Sequence, residues 1–227
     1  MTLANIEDLT HAALEAQGMM LPPPPWNELG EGLWGIVFDL GDGSVLKLVR
    51  KRGGLGFPAA LIHREVAAIK ALGGGRCRGF DMPDLLGHGA IALPANPFVA
   101  PLEGWLRLSK LNGRRLGDAI PPTPDGRQRL GETLGAALTD FHNDTKALSD
   151  AADLPQQDPI LRAVGELREA LPKPEDKALC DHLKERWTSL TSSPVFLHGD
   201  VNLSNVLVGE DGGFGLVDFA ECGMGAP

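Results

Sequence analysis

Residues 195–219 read VFLHGDVNLSNVLVGEDGGFGLVDF, and the fold turns on how this stretch is parsed. Val195-Phe196-Leu197 is a short apolar run of strand type. A polar loop follows, with His198, Asp200, Asn202, Ser204 and Asn205 in quick succession. A second run, Val206-Leu207-Val208, turns through Gly209–Gly213 into a third, Phe214–Val217, closed by Asp218-Phe219. Short apolar runs bounded by Gly and Asp clusters signal hairpins. Such a hairpin returns Asp218 to the side of Asn205, and Asp200, Asn205 and Asp218 then face one small volume.

Those side chains suit phosphoryl transfer. The reaction needs hard oxygen ligands for Mg²⁺ and a carboxylate that orients an attacking hydroxyl and accepts its proton. Asp218 and Asn205 fit the first task, Asp200 the second. An ordinary polar turn uses the same residue types, so the rest of the chain has to decide.

At 227 residues the chain suits one large domain or two small lobes. An apolar fraction of 43% with a mean hydropathy of −0.06 describes a globular, soluble protein. No apolar run approaches the roughly 20 residues of a spanning helix, so no membrane span is expected. The opening MTLANIEDLTHAALEAQG has no basic n-region and no apolar h-region, which excludes a secretory signal. Cys77, Cys180 and Cys222 are odd in number and far apart, which excludes a disulfide framework or a zinc site and makes a reducing cytoplasm the expected compartment. The net charge of −9 is uneven. Residues 1–112 hold 10 Lys/Arg and 11 Asp/Glu, whereas 113–227 hold 11 and 19. The acidic half argues against a nucleic-acid partner and suits a cationic substrate or a merely solvated surface.

Taken in order, residues 2–18 read as a helix ended by Gly18, and Pro22–Pro25 as a stiff linker. Next, Gly30, Gly32, Gly35 and Val37 spell GxGxxGxV. In a dinucleotide-binding fold this pattern opens a helix. Here Ile36-Val37-Phe38, the Gly41-Asp42-Gly43 turn and Val45–Val49 make strand, turn and strand, so the glycines sit in a hairpin lid whose backbone can approach phosphates. Lys47 lies within the second strand, opposite in face to Leu46 and Leu48. It is either a phosphate contact or an outward, solvated lysine. Residues 58–72 form a helix begun by Pro58, striped by Ile62, Val66, Ile69 and Leu72, and stopped by Gly73–Gly75. Its one acid, Glu65, is placed to pair with Lys47, or else with Arg64 or Lys70 on the surface. Trp105, Leu106 and Leu108 make a strand. The backbone of Ser109–Leu111 after it offers C=O and N–H groups to a purine edge, and Asn112-Gly113 links two lobes.

Beyond the Pro121–Pro124 linker, a helix over 125–143 carries Leu130, Leu134, Leu138 and Phe141 on one face, and its Gly131 and Gly135 predict close packing on a neighbour. Two more helices follow over 158–171 and 174–191. Leu161, Val164, Leu167 and Leu171, then Leu179, Leu183, Trp187 and Leu190, read as core stripes.

In this order the pieces resemble the aminoglycoside phosphotransferase and choline kinase family, small-molecule kinases with a protein-kinase-like fold. The resemblance rests on Gly30–Val37, Lys47, Glu65, the hinge-like Ser109–Gly113, HGDVNLSN, and Asp218-Phe219 placed 13 residues after Asn205. It covers nearly the whole chain. It implies an α+β fold of two lobes: an N-terminal helix and linker (1–25), an antiparallel-sheet nucleotide-binding lobe (26–112), and a mainly helical catalytic lobe (113–227) that the family usually extends. It implies that Gly30, Gly32 and Gly35 cover the phosphates of ATP, or of GTP as the alternative donor. Lys47, steadied by Glu65, contacts the α- and β-phosphates. Ser109 and Leu111 hold the purine, Asp200 is the base, Asn205 and Asp218 hold Mg²⁺, and His198 braces the loop. Asn202 replaces the lysine of protein Ser/Thr kinases, and neither a long activation segment nor an A-P-E motif is present, which favours a small-molecule hydroxyl acceptor over a protein. The family's further helices build much of its acceptor pocket, so apolar surface on the second lobe is expected to be exposed and to invite homo-oligomerisation. The expected activity is an ATP- and Mg²⁺-dependent phosphotransferase acting on a small molecule, with an amine-bearing acceptor favoured. A catalytically silent nucleotide-binding module and a protein kinase are the alternatives.

Overall fold

The computed structural model describes residues 3–32, 35–50, 58–73, 75–77, 79–91, 102–146, 148, 154, 158–189 and 194–225. In chain order its elements are α1 (Leu3–Ala16), β1 (Asn27–Glu31), β2 (Gly35–Asp39), β3 (Ser44–Arg50), α2 (Pro58–Leu72), β4 (Gly75–Cys77), β5 (Phe80–Met82), β6 (Leu85–Ala90), β7 (Leu102–Ser109), β8 (Arg114–Arg115), α3 (Leu116–Ala119), α4 (Pro124–Thr145), α5 (Pro159–Ala170), α6 (Pro174–Ser189), β9 (Val195–Leu197), β10 (Val206–Val208), β11 (Phe214–Leu216) and β12 (Gly223–Gly225). They form two compact units. The first holds residues 1–66 and 83–111, the second 67–82 and 112–227. The N-terminal helix thus groups with the first sheet, and residues 67–82 group with the second unit.

The first unit is built on SVLKLVR. Its β-branched and leucine residues favour an extended chain, and it becomes β3, the middle strand of an antiparallel sheet ordered β1-β2-β3-β7-β6. A middle strand has both edges hydrogen-bonded, here to β2 and β7. Leu46 and Leu48 are fully buried in one cluster with Ile36, Phe38 and Trp105, which α1 completes with Ile6 and Leu14. Each such side chain contributes about 1.5–3 kcal/mol when fully buried. The linker closes over them: the Trp26 ring lies 5.8 Å from that of Phe38, tilted by 58°, and the Trp26 backbone N–H donates to the Glu7 carboxylate at 2.6 Å. Helix α2 ends where Gly73 adopts φ +80°, the left-handed cap that glycine supplies at least cost; Gly74 lies outside the described residues.

The second unit has two small sheets and four helices among the described residues. One sheet is ordered β4-β5-β11-β10-β8, with β5 and β11 parallel; β9 pairs with β12. A line of aromatic rings fills its interior: Phe80 meets Phe141 of α4 at 5.8 Å, Phe141 meets Phe196 at 6.0 Å, and Phe196 meets Phe219 at 6.3 Å. Thr123 caps α4, its hydroxyl accepting from the Gly126 N–H at 3.2 Å.

Two sequence expectations need correcting here. Gly131 and Gly135 mark no close approach among the described residues, because a Cβ at either would meet nothing there within 4 Å. The tight contact on α4 is instead at Gly79, where a Cβ would stand 2.6 Å from the Ala137 carbonyl oxygen. The stripes of α5 and α6 are also only partly core. Leu167 is 50% exposed and Leu179 58%, Leu183 is exposed as well, and Cys180 takes the buried place on α6. The two helices pack chiefly on each other, so their outer leucines have no further layer to enter among the described residues. Leu190 lies outside those residues.

Candidate active site

In the first unit, the face of β3 opposite its leucines carries Lys47, which is not solvated. It is only 8% exposed, and its Nζ donates to Glu65 Oε2 of α2 at 2.7 Å, with Glu65 2% exposed. Lysine and glutamate are rarely buried unless paired, so a buried ammonium held by a buried carboxylate is a costly feature. The glycine stretch forms the β1–β2 hairpin, closed by the Gly32 N–H donating to the Gly35 carbonyl at 2.9 Å. The pairing register slips by a bulge between Glu28 and Gly30. The glycines are not equivalent. A Cβ at Gly35 would collide with the Leu48 carbonyl, so strand packing alone demands glycine there. At Gly32, among the described residues, a Cβ would meet nothing within 4 Å, so packing there does not demand glycine.

The segment after β7 is tied down on both sides. The Ser109 N–H donates to the Asp84 carbonyl at 2.9 Å, and the Ser109 hydroxyl accepts from the Asp84 N–H at 2.7 Å. The Lys110 N–H donates to the Gly43 carbonyl at 2.9 Å, and its Nζ to Asp39 at 2.7 Å. That ammonium, helped by the Gly41 N–H, holds the Asp39 carboxyl below the usual carboxylate range. Among the described residues no hydrogen bond falls to the backbone of half-buried Leu111. The N–H of Ser109 is therefore committed internally, and Leu111 is the position with a donor to offer.

In the second unit, His198 is buried under the loop. Its Nδ1 accepts the Asp200 N–H at 3.3 Å, so Nε2 carries the proton donated to the Val217 carbonyl at 3.0 Å. Its ring lies 4.7 Å from that of Phe219. Asp200 is exposed. Its carboxylate accepts from Asn205 Nδ2 at 2.9 Å, and its carbonyl accepts from the same nitrogen at 3.0 Å. The carbonyl of Asn205 in turn accepts the Val217 N–H at 3.0 Å, continuing the β10–β11 ladder by one step. Asn205 thus joins the Asp200 loop to the residue preceding Asp218. Asp218 has φ +67°, the one non-glycine residue at positive φ among those described. Such strain costs about 1–3 kcal/mol and persists where the surroundings over-determine it, commonly at functional sites.

Asn202 has a structural role in this loop that its residue type alone does not announce. Its Oδ1 accepts from the N–H groups of Ser204 at 2.7 Å and Asn205 at 3.1 Å, an Asx turn that sets the loop's curvature. The N-x-S-N spacing carried that signal.

The donor set fits Mg²⁺. Asn205 turns its amide nitrogen to Asp200, so its amide oxygen would be the atom to hold such an ion, with the Asp218 carboxylate as a second hard donor. Among the described residues no cluster of three or more His, Cys, Asp or Glu is built to hold a metal. An amide oxygen and a carboxylate are hard donors of the kind Mg²⁺ takes beside water and substrate phosphates.

A family model described as the phosphotransferase enzyme family matches residues 37–227. No curated protein sequence matches the chain. Among solved structures, the GDP and kanamycin complex of APH(2")-IIIa superposes with a TM-score of 0.63 at 17% identity, covering 96% of this chain and 73% of that one. The streptomycin–ATP complex of APH(2")-IIa gives 0.61 at 15%, covering 100% and 73%. Macrolide 2'-phosphotransferase MphH from Brachybacterium faecium gives 0.54 at 19%, covering 97% and 74%. These likenesses establish the fold: α+β, protein-kinase-like.

Proposed function

This chain belongs to the phosphotransferase enzyme family, and from that premise we propose that it moves the γ-phosphoryl group of Mg-ATP to a hydroxyl of a small molecule. The observation that carries the reading is Asn205, which hydrogen-bonds the Asp200 carboxylate and the strand leading to Asp218 at once. In this reading Asp200 orients the acceptor hydroxyl and takes its proton. Its exposure gives an acceptor access, and Asn205 and the His198-bound N–H hold it still. Asp218 and the Asn205 oxygen are the Mg²⁺ ligands; the ion, when bound, neutralises developing charge on the phosphate oxygens. In the first unit, Lys47, oriented by Glu65, contacts the nucleotide phosphates. Gly30, Gly32 and Gly35 supply the hairpin backbone over them, and the Ser109–Leu111 backbone reads the purine. ATP is the expected donor and GTP the alternative, since relatives of this fold hold GDP and ATP.

The acceptor class we favour is amine-bearing. The 113–227 half carries 19 acidic against 11 basic residues, a field that attracts cations. The test is transfer of label from γ-labelled ATP to a panel of amino sugars, amino alcohols and macrolides, with and without Asp200→Ala. Label on an acceptor, lost in the variant, supports the reading. Stabilisation by Mg-ATP with no turnover on any acceptor reassigns the protein as a nucleotide-binding module. Failure to bind Mg-ATP at all refutes both.

A further inference from the structure

We propose that Arg162 is a positioning residue for Asp200, acting through Glu221 and Gly199; this rests on the phosphotransferase reading above. Arg162 lies in the first turn of α5, and that turn is fixed at its base. Asp158 caps it, Oδ1 accepting from the N–H groups of Ile160 at 2.8 Å and Leu161 at 3.2 Å. Asp158 Oδ2 accepts from Trp187 Nε1 of α6 at 2.9 Å, and the Asp158 carbonyl accepts the Arg162 N–H at 2.9 Å. From this anchored turn the Arg162 side chain, only 11% exposed, sends its guanidinium to donate to the Glu221 carboxylate and to reach the Glu221 carbonyl oxygen at 3.4 Å.

Glu221 sits three residues after Asp218, in the turn that the Cys222 N–H closes on the Phe219 carbonyl at 3.2 Å. Its carbonyl presses on the catalytic loop. Gly199 has φ +83°, and a Cβ there would overlap the Glu221 oxygen and lie 2.7 Å from its carbonyl carbon. Gly199 is the peptide neighbour of Asp200. The guanidinium therefore holds the carbonyl against which the backbone bearing Asp200 is seated. Asn205 restrains the Asp200 carboxylate from one side, and this chain restrains its backbone from the other.

A merely structural ion pair would make a different prediction. Arg162 already has an i,i+4 carboxylate, Glu166, at 3.8 Å on its own helix, and pairs of that kind contribute little. The Glu221 contact spans two elements and ends one peptide from the base, where misplacement is expensive in rate.

The probe is release of ADP from Mg-ATP, measured with the intact chain and the variants Arg162→Met, Arg162→Lys and Glu221→Gln. Arg162→Met and Glu221→Gln should lower kcat by about tenfold to a hundredfold, the scale of a small misplacement near the chemistry. KM for Mg-ATP should stay within about twofold, and Arg162→Lys should recover most of the rate. Arg162→Met combined with Glu221→Gln should be no worse than either alone. Added to Asp200→Asn, Arg162→Met should cost less than about twofold, because its target is already gone. A folded Arg162→Met with wild-type kcat, a loss confined to KM, or a full additional loss in the Asp200→Asn background overturns the proposal. Where Arg162→Met does not fold, the isosteric Glu221→Gln carries the same test. Wild-type protein that neither binds nor turns over Mg-ATP overturns the phosphotransferase reading itself; active wild type with unaffected variants overturns this inference alone.

Discussion

Replacing Glu65 by Gln separates what holds this fold together from what it is used for. The Lys47 ammonium and the Glu65 carboxylate are 2.7 Å apart, with side chains 10% and 2% exposed. At an effective dielectric of about 20, the Coulomb attraction over that distance is roughly 6 kcal/mol. Desolvating the two ions costs several kcal/mol each, so the intact pair is close to break-even. Removing one partner keeps the other's desolvation cost and loses the attraction, which destabilises by about 3–5 kcal/mol. That is a large share of the roughly 5–15 kcal/mol that holds a domain folded. With a urea slope of about 2 kcal/mol/M, the midpoint should fall by about 1.5–2.5 M. Replacing both charges, as Lys47→Met with Glu65→Leu, should restore stability to within about 1 kcal/mol of wild type or exceed it. The same double variant should have lost Mg-ATP turnover. Urea denaturation followed by tryptophan fluorescence reads the first quantity and ADP release the second. The reasoning fails if the double variant is as unstable as Glu65→Gln alone, and the phosphate role fails if Lys47→Met turns over at the wild-type rate.

Three further outcomes are expected. Asp218→Gly relieves a left-handed strain of about 1–2 kcal/mol and adds about 0.5–1 kcal/mol of unfolded-chain freedom. Its urea midpoint should therefore stay near wild type while Mg²⁺-dependent nucleotide affinity, read by calorimetry, collapses; retained affinity would remove Asp218 from the metal site. Gly131→Ala and Gly135→Ala, in open positions on α4, should each raise stability by about 0.5–1 kcal/mol, and a loss in urea denaturation would show that face to be closely packed. Burial holds the His142 imidazole below its ordinary value of 6.5. The unfolded chain thus takes up the proton first, so stability is full above pH 6.5 and declines as pH falls through the depressed folded value. His142→Gln should flatten that part of the urea-midpoint profile, and an unchanged slope would refute the assignment.

What the sequence made legible follows from distance along the chain. The β10–β11 hairpin is local, so the alternation of apolar runs with Gly/Asp turns was enough to read the return of the chain from Asn205 to Val217. Helix α2 carried its start and stop in Pro58 and Gly73, and β3 its strand character in SVLKLVR. The face that Lys47 occupies was not legible. Alternation sets it opposite Leu46 and Leu48, but only the packed structure, in which Lys47 meets Glu65 of α2 and both are buried, shows that the opposite face is also covered. The glycines misled for a related reason. A glycine in a helix pattern records that no side chain is present, not whether a neighbour fills the space, so Gly131 and Gly135 predicted contacts that belong to Gly79 instead.

The supports of the site were hidden by the same rule. Arg162 and Glu221 are 59 residues apart, and Ser109 meets Asp84 across 25. Nothing periodic connects such pairs. Yet these long-range contacts decide whether the local motif works, because phosphoryl transfer asks the protein mainly for position and charge. In the proposed reaction the motif HGDVNLSN supplies the reacting groups, and its own turn chemistry, through Asn202 and His198, shapes the loop. The loop is exposed, however, and exposed loops fluctuate unless tied to packed elements. Here the ties run inward through the ring of Phe219 beneath His198, and outward through Glu221 to a helix whose first turn is capped and clamped. A sequence that kept every motif residue but lost Asp158 or Arg162 would read as the same enzyme, and would hold the proposed base, Asp200, less firmly.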